Sequence, residues 1–116
     1  EFWKPSRAGE IDDPVIRKLY FDFYINSGRD AAVRNLQRAI NQLGGQVDVD
    51  GFIGPETIEV LNRHPNPGEI YEQYRKNRIA NYHKIVDNDE SQRKFLDGWI
   101  NRMDKFKSYD EMLKQY

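Results

Sequence analysis

The sequence predicts an all-α fold of about five helices. Apolar residues recur at intervals of three and four along most of the 116-residue chain, and clusters of Gly, Asn or Pro separate these periodic stretches. One exception is the alternation of polar and apolar residues over 46–54, which predicts either a short hairpin or a tight ordered loop. Because the connections are short, successive helices are expected to pack as neighbours in a single domain.

The first two predicted helices have the most regular apolar faces. The first spans residues 13–26, with an aspartate as its cap, a proline in its first turn and Asn26-Ser27-Gly28 at its end. Its apolar face consists of Val15, Ile16, Leu19, Tyr20 and Phe23. The second begins near Asp30 and ends at a Gly-Gly pair. Its apolar face consists of Val33, Leu36, Ile40 and Leu43.

Three more helices are predicted after the loop. Pro55 opens a short helix that carries Ile58 and Leu61, and the proline-rich segment 64–68 ends it. A longer helix, 69–87, mixes aromatic and cationic residues along one side, and a turn at 87–91 follows. The last, about 92–106, carries Phe95, Leu96, Trp99, Met103 and Phe106 on one face. Residues 107–116 are expected to be helical or frayed.

Composition and charge narrow the function classes. The 18 basic and 19 acidic residues give a net charge of -1, so no bulk electrostatic attraction to nucleic acid or to an anionic membrane is expected. The absence of cysteine removes disulfides, zinc-thiolate sites and a cysteine nucleophile. No stretch approaches the roughly 20 apolar residues of a membrane span, and no signal-peptide pattern opens the sequence.

Short motifs in a fixed order resemble a known family. Leu36-Gln37, followed by Asp-Gly-x-x-Gly-Pro-x-Thr at residues 50–57, resembles the peptidoglycan-binding pattern of many cell-wall hydrolases. The wider order is similar to glycoside hydrolase family 108, which includes secretion activators and phage endolysins. The segments that carry this wider resemblance are Phe2-Trp3-Lys4-Pro5, Ile11-Asp12-Asp13-Pro14, residues 21–28, Arg78-x-x-x-Tyr82 and Gly98-Trp99-Ile100-Asn101-Arg102.

The resemblance implies a lysozyme-like fold and cleavage of glycan strands by a glutamate in a Glu-Gly-Gly motif. This sequence has no such motif, so no catalytic residue is assigned. Residues 1–9 are expected to be the tail of an upstream lysozyme-like catalytic portion, and residues 10–116 to be a helical peptidoglycan-binding domain that is inactive alone. The resemblance implies a location in the bacterial cell wall or periplasm, after export or phage-mediated release.

Seven residues are candidates for contact with a glycan strand. They are Asp22, Asn26, Asp50, Thr57, Arg78, Tyr82 and Trp99. Asp22 and Asn26 lie one turn apart on one helical face, whereas rings and a guanidinium at 78, 82 and 99 offer stacking and hydrogen bonds. Each candidate also has a purely structural interpretation: shaping a loop, packing in the core or, for Asp22, pairing with an arginine.

No metal or cofactor is expected. The Asp48–Gly51 stretch fails the calcium-loop template, which would place Gln46 first and Thr57 twelfth, and the two histidines are far apart in sequence. Two other function hypotheses remain open. One is a helical interaction protein whose aromatic face docks a partner helix or a second copy. The other is an active lytic enzyme in which Asp22 performs acid/base chemistry.

Overall fold

A computed structural model describes residues 3–116, which contain seven α-helices and no strand. The helices are α1 (Trp3–Ser6), α2 (Pro14–Ser27), α3 (Arg29–Gln42), α4 (Pro55–Arg63), α5 (Pro67–Asn88), α6 (Arg93–Arg102) and α7 (Tyr109–Leu113), with 3₁₀ turns at Ala8–Glu10, Glu90–Gln92 and Met103–Lys105. The all-α prediction and its five principal helices are confirmed. Glu1 and Phe2, which belong to the predicted tail and to the first motif, lie outside the described residues.

Helices α2, α3 and α5 pack on one another and form the centre of the domain. The apolar face predicted for α2 is buried throughout, and Asp13 caps this helix through its Oδ1, which accepts hydrogen bonds from the N–H groups of Val15 and Ile16. Large aromatic residues fill the space between the helices. The Tyr74 hydroxyl donates to Ala32 O at 2.8 Å, so its buried polar end is satisfied.

The N-terminal segment joins this core. The Tyr20 hydroxyl donates to Ser6 O at 2.7 Å, and Ala8 and Ile11 are fully buried. The turn at Ala8–Glu10 also meets α4, because Asn62 Nδ2 donates to Glu10 O at 2.9 Å. The described residues before α2 therefore pack against the same domain.

Residues 46–54 form an ordered loop, which settles the choice between hairpin and loop. Val47 and Ile53 point inward, as the polar–apolar alternation predicts, whereas Phe52 is exposed. The backbone of Val47 is bonded by the side chain of Asn41, which accepts from its N–H at 2.9 Å and donates to its carbonyl at 2.8 Å. A side chain of α3 thus takes the place of a second strand.

Helix α6 differs from the others because none of its residues is buried. It packs mainly on α5, and it ends at Arg102 rather than at the predicted Phe106. The face predicted for it divides accordingly: Met103 and Phe106, in and after the following 3₁₀ turn, are buried, whereas Phe95 is 47% exposed. None of the helices in residues 3–116 combines the length and apolar character of a membrane span.

Candidate functional site

Asp22 lies at the centre of a cluster of three cations. Its Oδ1 is 2.8 Å from Arg102 Nη2 and 3.0 Å from Lys105 Nζ, and its Oδ2 is 2.8 Å from Arg78 Nη2. The Asp22 side chain is only 11% exposed, whereas those of Arg102 and Lys105 are about half exposed. We call these four residues the Asp22 cluster. One carboxylate faces three cations, so the cluster carries a surplus of positive charge.

The ionised state of Asp22 follows from this geometry. Burial alone favours the neutral carboxyl, but hydrogen bonds from Arg102 and Lys105, with the charge of Arg78 beside them, outweigh burial and lower the pKa of Asp22. A general acid needs a raised pKa at neutral pH. Asp22 is therefore poorly suited to donate a proton, and its arginine-pairing interpretation describes the observed geometry.

Arg78 is fully buried. Its guanidinium carbon lies 4.9 Å from the ring centre of Phe23 and 5.6 Å from that of Phe106, and its Nε donates to the Tyr82 hydroxyl oxygen at 2.8 Å. A buried guanidinium is stable only when carboxylates, hydroxyls and ring faces replace water around it. Arg78 therefore touches no solvent in this structure and instead fixes the positions of Asp22 and Tyr82.

Three aromatic rings form a row of contacts that leads from Arg78 to the surface. Tyr82, which is 3% exposed, stacks on Trp99 at 5.3 Å between ring centres, and Trp99 stacks on Phe95 at 6.0 Å. We call Tyr82, Trp99 and Phe95 the aromatic row. Phe95 is the outermost ring of the row, and Lys94 Nζ lies 5.3 Å from its ring centre. Because residues 95, 99 and 102 share one side of α6, Arg102 lies along the same helix face as the two outer rings.

A second polar cluster surrounds Gln37, which is fully buried. Its Nε2 donates to Asp50 Oδ1 at 3.0 Å and to Thr57 Oγ1 at 3.3 Å, and its Oε1 accepts from Gly51 N at 3.1 Å. Asp50 Oδ1 also accepts from the N–H of Phe52, and these hydrogen bonds lower the pKa of Asp50. We call Gln37, Asp50 and Thr57 the loop cluster. Its bonds hold the loop to α3 and α4.

The seven predicted residues thus fall into two places. Asp22, Arg78, Tyr82 and Trp99 form one continuous set of contacts, and Asp50 and Thr57 belong to the loop cluster. Asn26 is exposed, and its Nδ2 donates to the backbone oxygen of Asp22 at 2.7 Å rather than to the carboxylate. Tyr71 and Tyr74, the other rings of the mixed face on α5, are fully buried and pack in the core.

A groove of about 340 Å³ runs beside α2 and reaches the Asp22 cluster. Its apolar wall consists of Pro14, Phe21, Ile25, Phe106 and Tyr116. Asp22 and Lys105 line one end of it, and Arg17 and Lys18 add positive charge. We call this the α2 groove. Among residues 3–116, no three His, Asp or Glu side chains converge to hold a metal ion.

The sequence profile of a protein family described as "Predicted Peptidoglycan domain" matches residues 31–104, which is more than half of the chain. The chain belongs to this family. The matched segment of this peptidoglycan domain contains the loop cluster, Arg78 and the whole aromatic row. Asp22, Lys105 and all the other residues that line the α2 groove lie outside it. No curated protein matches the sequence.

Four members of these sites were not among the seven candidates: Phe95, Arg102, Lys105 and Gln37. Phe95 was identifiable in principle, since it lies four residues before Trp99 on one helical face. Gln37 was visible within the Leu-Gln motif, but its inward direction depends on the loop that it holds. Lys105 has no local signal at all, because its contact with Asp22 spans 83 residues of sequence.

Proposed function

We propose that this domain binds the glycan strands of peptidoglycan, and that the aromatic row and the exposed cations of the Asp22 cluster make the contact. One observation carries the proposal. In a member of a peptidoglycan-domain family, the half-exposed ring of Phe95 stacks on Trp99, and both rings lie on the same helix face as Arg102. Contiguous apolar patches at a protein surface, unlike single exposed side chains, mark sites of interaction, and Phe95 is in contact with Trp99.

The chemistry of this surface suits an amino-sugar polymer. Each pyranose ring has an apolar C–H face, which packs on an aromatic ring, and a rim of hydroxyl and amide groups, which exchange hydrogen bonds. Muramic acid adds a lactyl group that ends in a carbonyl or a carboxylate. Arg102, which lies one turn beyond Trp99 on α6, and Lys105 supply donors for these oxygens.

Asp22 prepares these cations for binding. Because Arg102 and Lys105 are already bonded to one fixed carboxylate, less side-chain entropy is lost when they meet a sugar. Arg78 in turn fixes that carboxylate from the buried side. We assign Arg78 and Tyr82 a positioning role, and Phe95, Trp99, Arg102 and Lys105 the contact with glycan.

The finer part of the proposal is that the domain serves a lysozyme-like muramidase of the bacterial cell wall, whose catalytic glutamate lies in an upstream portion. The ordered motifs that resemble glycoside hydrolase family 108 support this. The test is the upstream reading frame: a Glu-Gly-Gly motif about one small domain before residue 1 is expected. A frame without one would remove the muramidase but leave the glycan-binding proposal intact.

Co-sedimentation with purified, insoluble peptidoglycan tests the binding proposal. The protein is expected to sediment at low and moderate salt, and Phe95→Ala is expected to weaken binding about tenfold through loss of one stacking contact. Phe52→Ala is the matched control, because Phe52 is also an exposed ring beneath a cation, Arg29, but lies in the 46–54 loop. It is expected to bind like the unmodified protein.

Two results would overturn the proposal. The absence of sedimentation at any salt concentration would exclude peptidoglycan binding, and concentration-dependent self-association through Phe95 would then favour the helical interaction protein. Weaker binding by Phe52→Ala with normal binding by Phe95→Ala would move the site to the loop.

A further inference from the structure

We propose that the α2 groove binds the stem peptide of peptidoglycan, the short peptide of small apolar residues and carboxylates that branches from muramic acid. This inference rests on the proposed function. It adds a second contact, to peptide rather than sugar, on the opposite side of the Asp22 cluster from the aromatic row.

The size and lining of the groove fit a short peptide. Its volume of about 340 Å³ is at the low end of small-ligand pockets, enough for a few small residues but not for a partner helix. Ile25 is 48% exposed and Tyr116 is 64% exposed, so two large apolar side chains border it at the surface. Methyl side chains of a stem peptide would cover these groups and the ring of Phe21.

The charges of the groove favour an anionic occupant. Among the described residues that line the groove, Arg17, Lys18 and Lys105 are basic and Asp22 alone is acidic, and Asp22 is already paired with Arg78 and Arg102 as well as Lys105. Arg17 donates hydrogen bonds to the carbonyls of Ile11 and Asp12, and these bonds fix its position. Lys18 is the freest of the three, because its only hydrogen-bond contact within residues 3–116 is a 3.5 Å approach to Gln115 Oε1.

The position of the groove matches the connectivity of peptidoglycan. Lys105 and Asp22 line the groove, and the same Asp22 carboxylate holds Arg102, which belongs to α6 and lies beside the aromatic row. In the polymer, a lactyl group joins the muramic acid ring to the first amino acid of the stem peptide. A sugar on the aromatic row with its lactyl group at Arg102 and Lys105 therefore directs the peptide into the groove.

Two ligands that differ only in the peptide test this assignment. One is a disaccharide of N-acetylglucosamine and N-acetylmuramic acid with its stem peptide, and the other is the same disaccharide with its lactyl group capped as a simple amide, so that both lactyl groups are neutral. Titrations followed by amide NMR are expected to show about tenfold tighter binding of the first, the effect of one added charge-assisted hydrogen bond with apolar contact. Only the peptide-bearing ligand is expected to shift amides of residues 14–25.

Lys18→Glu is the decisive variant. Its charge reversal is expected to lower the affinity for the peptide-bearing ligand to that for the bare disaccharide, without changing the latter. Lys84→Glu, an equally exposed lysine on α5 away from the groove, is the matched control and is expected to change neither. Both positions are exposed, so both variants are expected to fold, which their far-ultraviolet circular dichroism checks.

The outcomes separate this inference from the proposed function. Equal affinity for the two ligands, with no shifts at residues 14–25, would overturn the groove assignment and leave glycan binding intact. Failure of both ligands to bind would overturn both proposals. Groove shifts that depend on protein concentration in the absence of ligand would overturn the assignment in favour of a second copy of the chain.

Discussion

The loop cluster and the Asp22 cluster use polar side chains in opposite ways. In the loop cluster, a neutral amide, Gln37, is buried with its groups bonded to Asp50, Gly51 and Thr57, so the amide itself has nothing left to offer a ligand. In the Asp22 cluster, one carboxylate faces three cations, two of which reach the surface. The Asp-Gly-x-x-Gly-Pro-x-Thr motif, the most specific pattern in the sequence, therefore builds the scaffold. The surface suited to binding is formed instead by residues that are far apart in sequence.

Removal of Arg78 should have the largest effect. Arg78→Met removes the buried partner of Asp22, but Arg102 and Lys105 still compensate the carboxylate, so we expect a loss of about 3 kcal/mol in the free energy of unfolding, the lower end of the cost of breaking a buried ion pair. Urea denaturation measures this. Arg63→Met breaks the exposed pair of Arg63 and Glu59 on α4, and should cost less than about 1 kcal/mol. Similar losses for the two variants would contradict the central role of Arg78.

Substitution of Gln37 tests the role of the loop cluster in stability. Gln37→Ala leaves buried hydrogen-bonding groups of the loop unsatisfied, so we expect a loss of about 1–3 kcal/mol in the free energy of unfolding. Hydrogen exchange at the Gly51 amide should accelerate, since Gln37 Oε1 accepts its proton. Peptidoglycan binding should be retained at saturating wall concentration. Gln42→Ala, on the exposed end of the same helix, is the control.

Acidification should weaken the Asp22 cluster. The pKa of Asp22 is depressed in the folded state, so its ion pairs contribute stability that is complete above its unfolded pKa of about 4 and is lost as pH falls through the lower folded value. The difference in unfolding free energy between the unmodified protein and Asp22→Asn should therefore be largest near neutral pH and shrink at acid pH. A difference that grows on acidification would contradict the assigned ion pairs.

The smallest effects concern one glycine in each region. Gly98 lies on exposed α6, where an added Cβ meets nothing within 4 Å, so Gly98→Ala should raise the free energy of unfolding by about 0.5–1 kcal/mol through helix propensity. Gly51 has a φ of +80°, and an added Cβ would lie 2.8 Å from Asp30 Oδ1. Gly51→Ala should therefore lower stability by roughly 1 kcal/mol or more. Thermal unfolding of the pair should show shifts of opposite sign.

Local periodicity was enough to predict most of the fold. Val33, Leu36 and Ile40 are all fully buried, as their spacing on α3 predicts. Residues at this spacing lie on one side of a helix, and that apolar side packs against the core. The limits appear where a distant element decides the outcome. The alternation around Val47 was visible in sequence, but Asn41 decides that it is a loop.

The candidate site was less predictable than the fold for the same reason. Arg78, Tyr82 and Trp99 were identified from their residue types, but nothing in sequence says that Arg78 is buried or that Asp22 pairs with Arg102 across 80 residues. The exposure of Phe95 depends on α6 packing against a single neighbour. The periodicity of that helix is the same whether its apolar face meets protein or water.

Helix α5 links the packed core to the Asp22 cluster and the aromatic row. Its 22 residues extend for about 33 Å at the usual rise of 1.5 Å per residue, with Tyr74 buried between α2 and α3 near one end and Tyr82 beneath Trp99 nearer the other. A force applied to the outer surface of α6 would therefore pass along one continuous helix into the packed α2–α3–α5 core. The load of any ligand held at the aromatic row would thus be borne by the whole core and not by α6 alone.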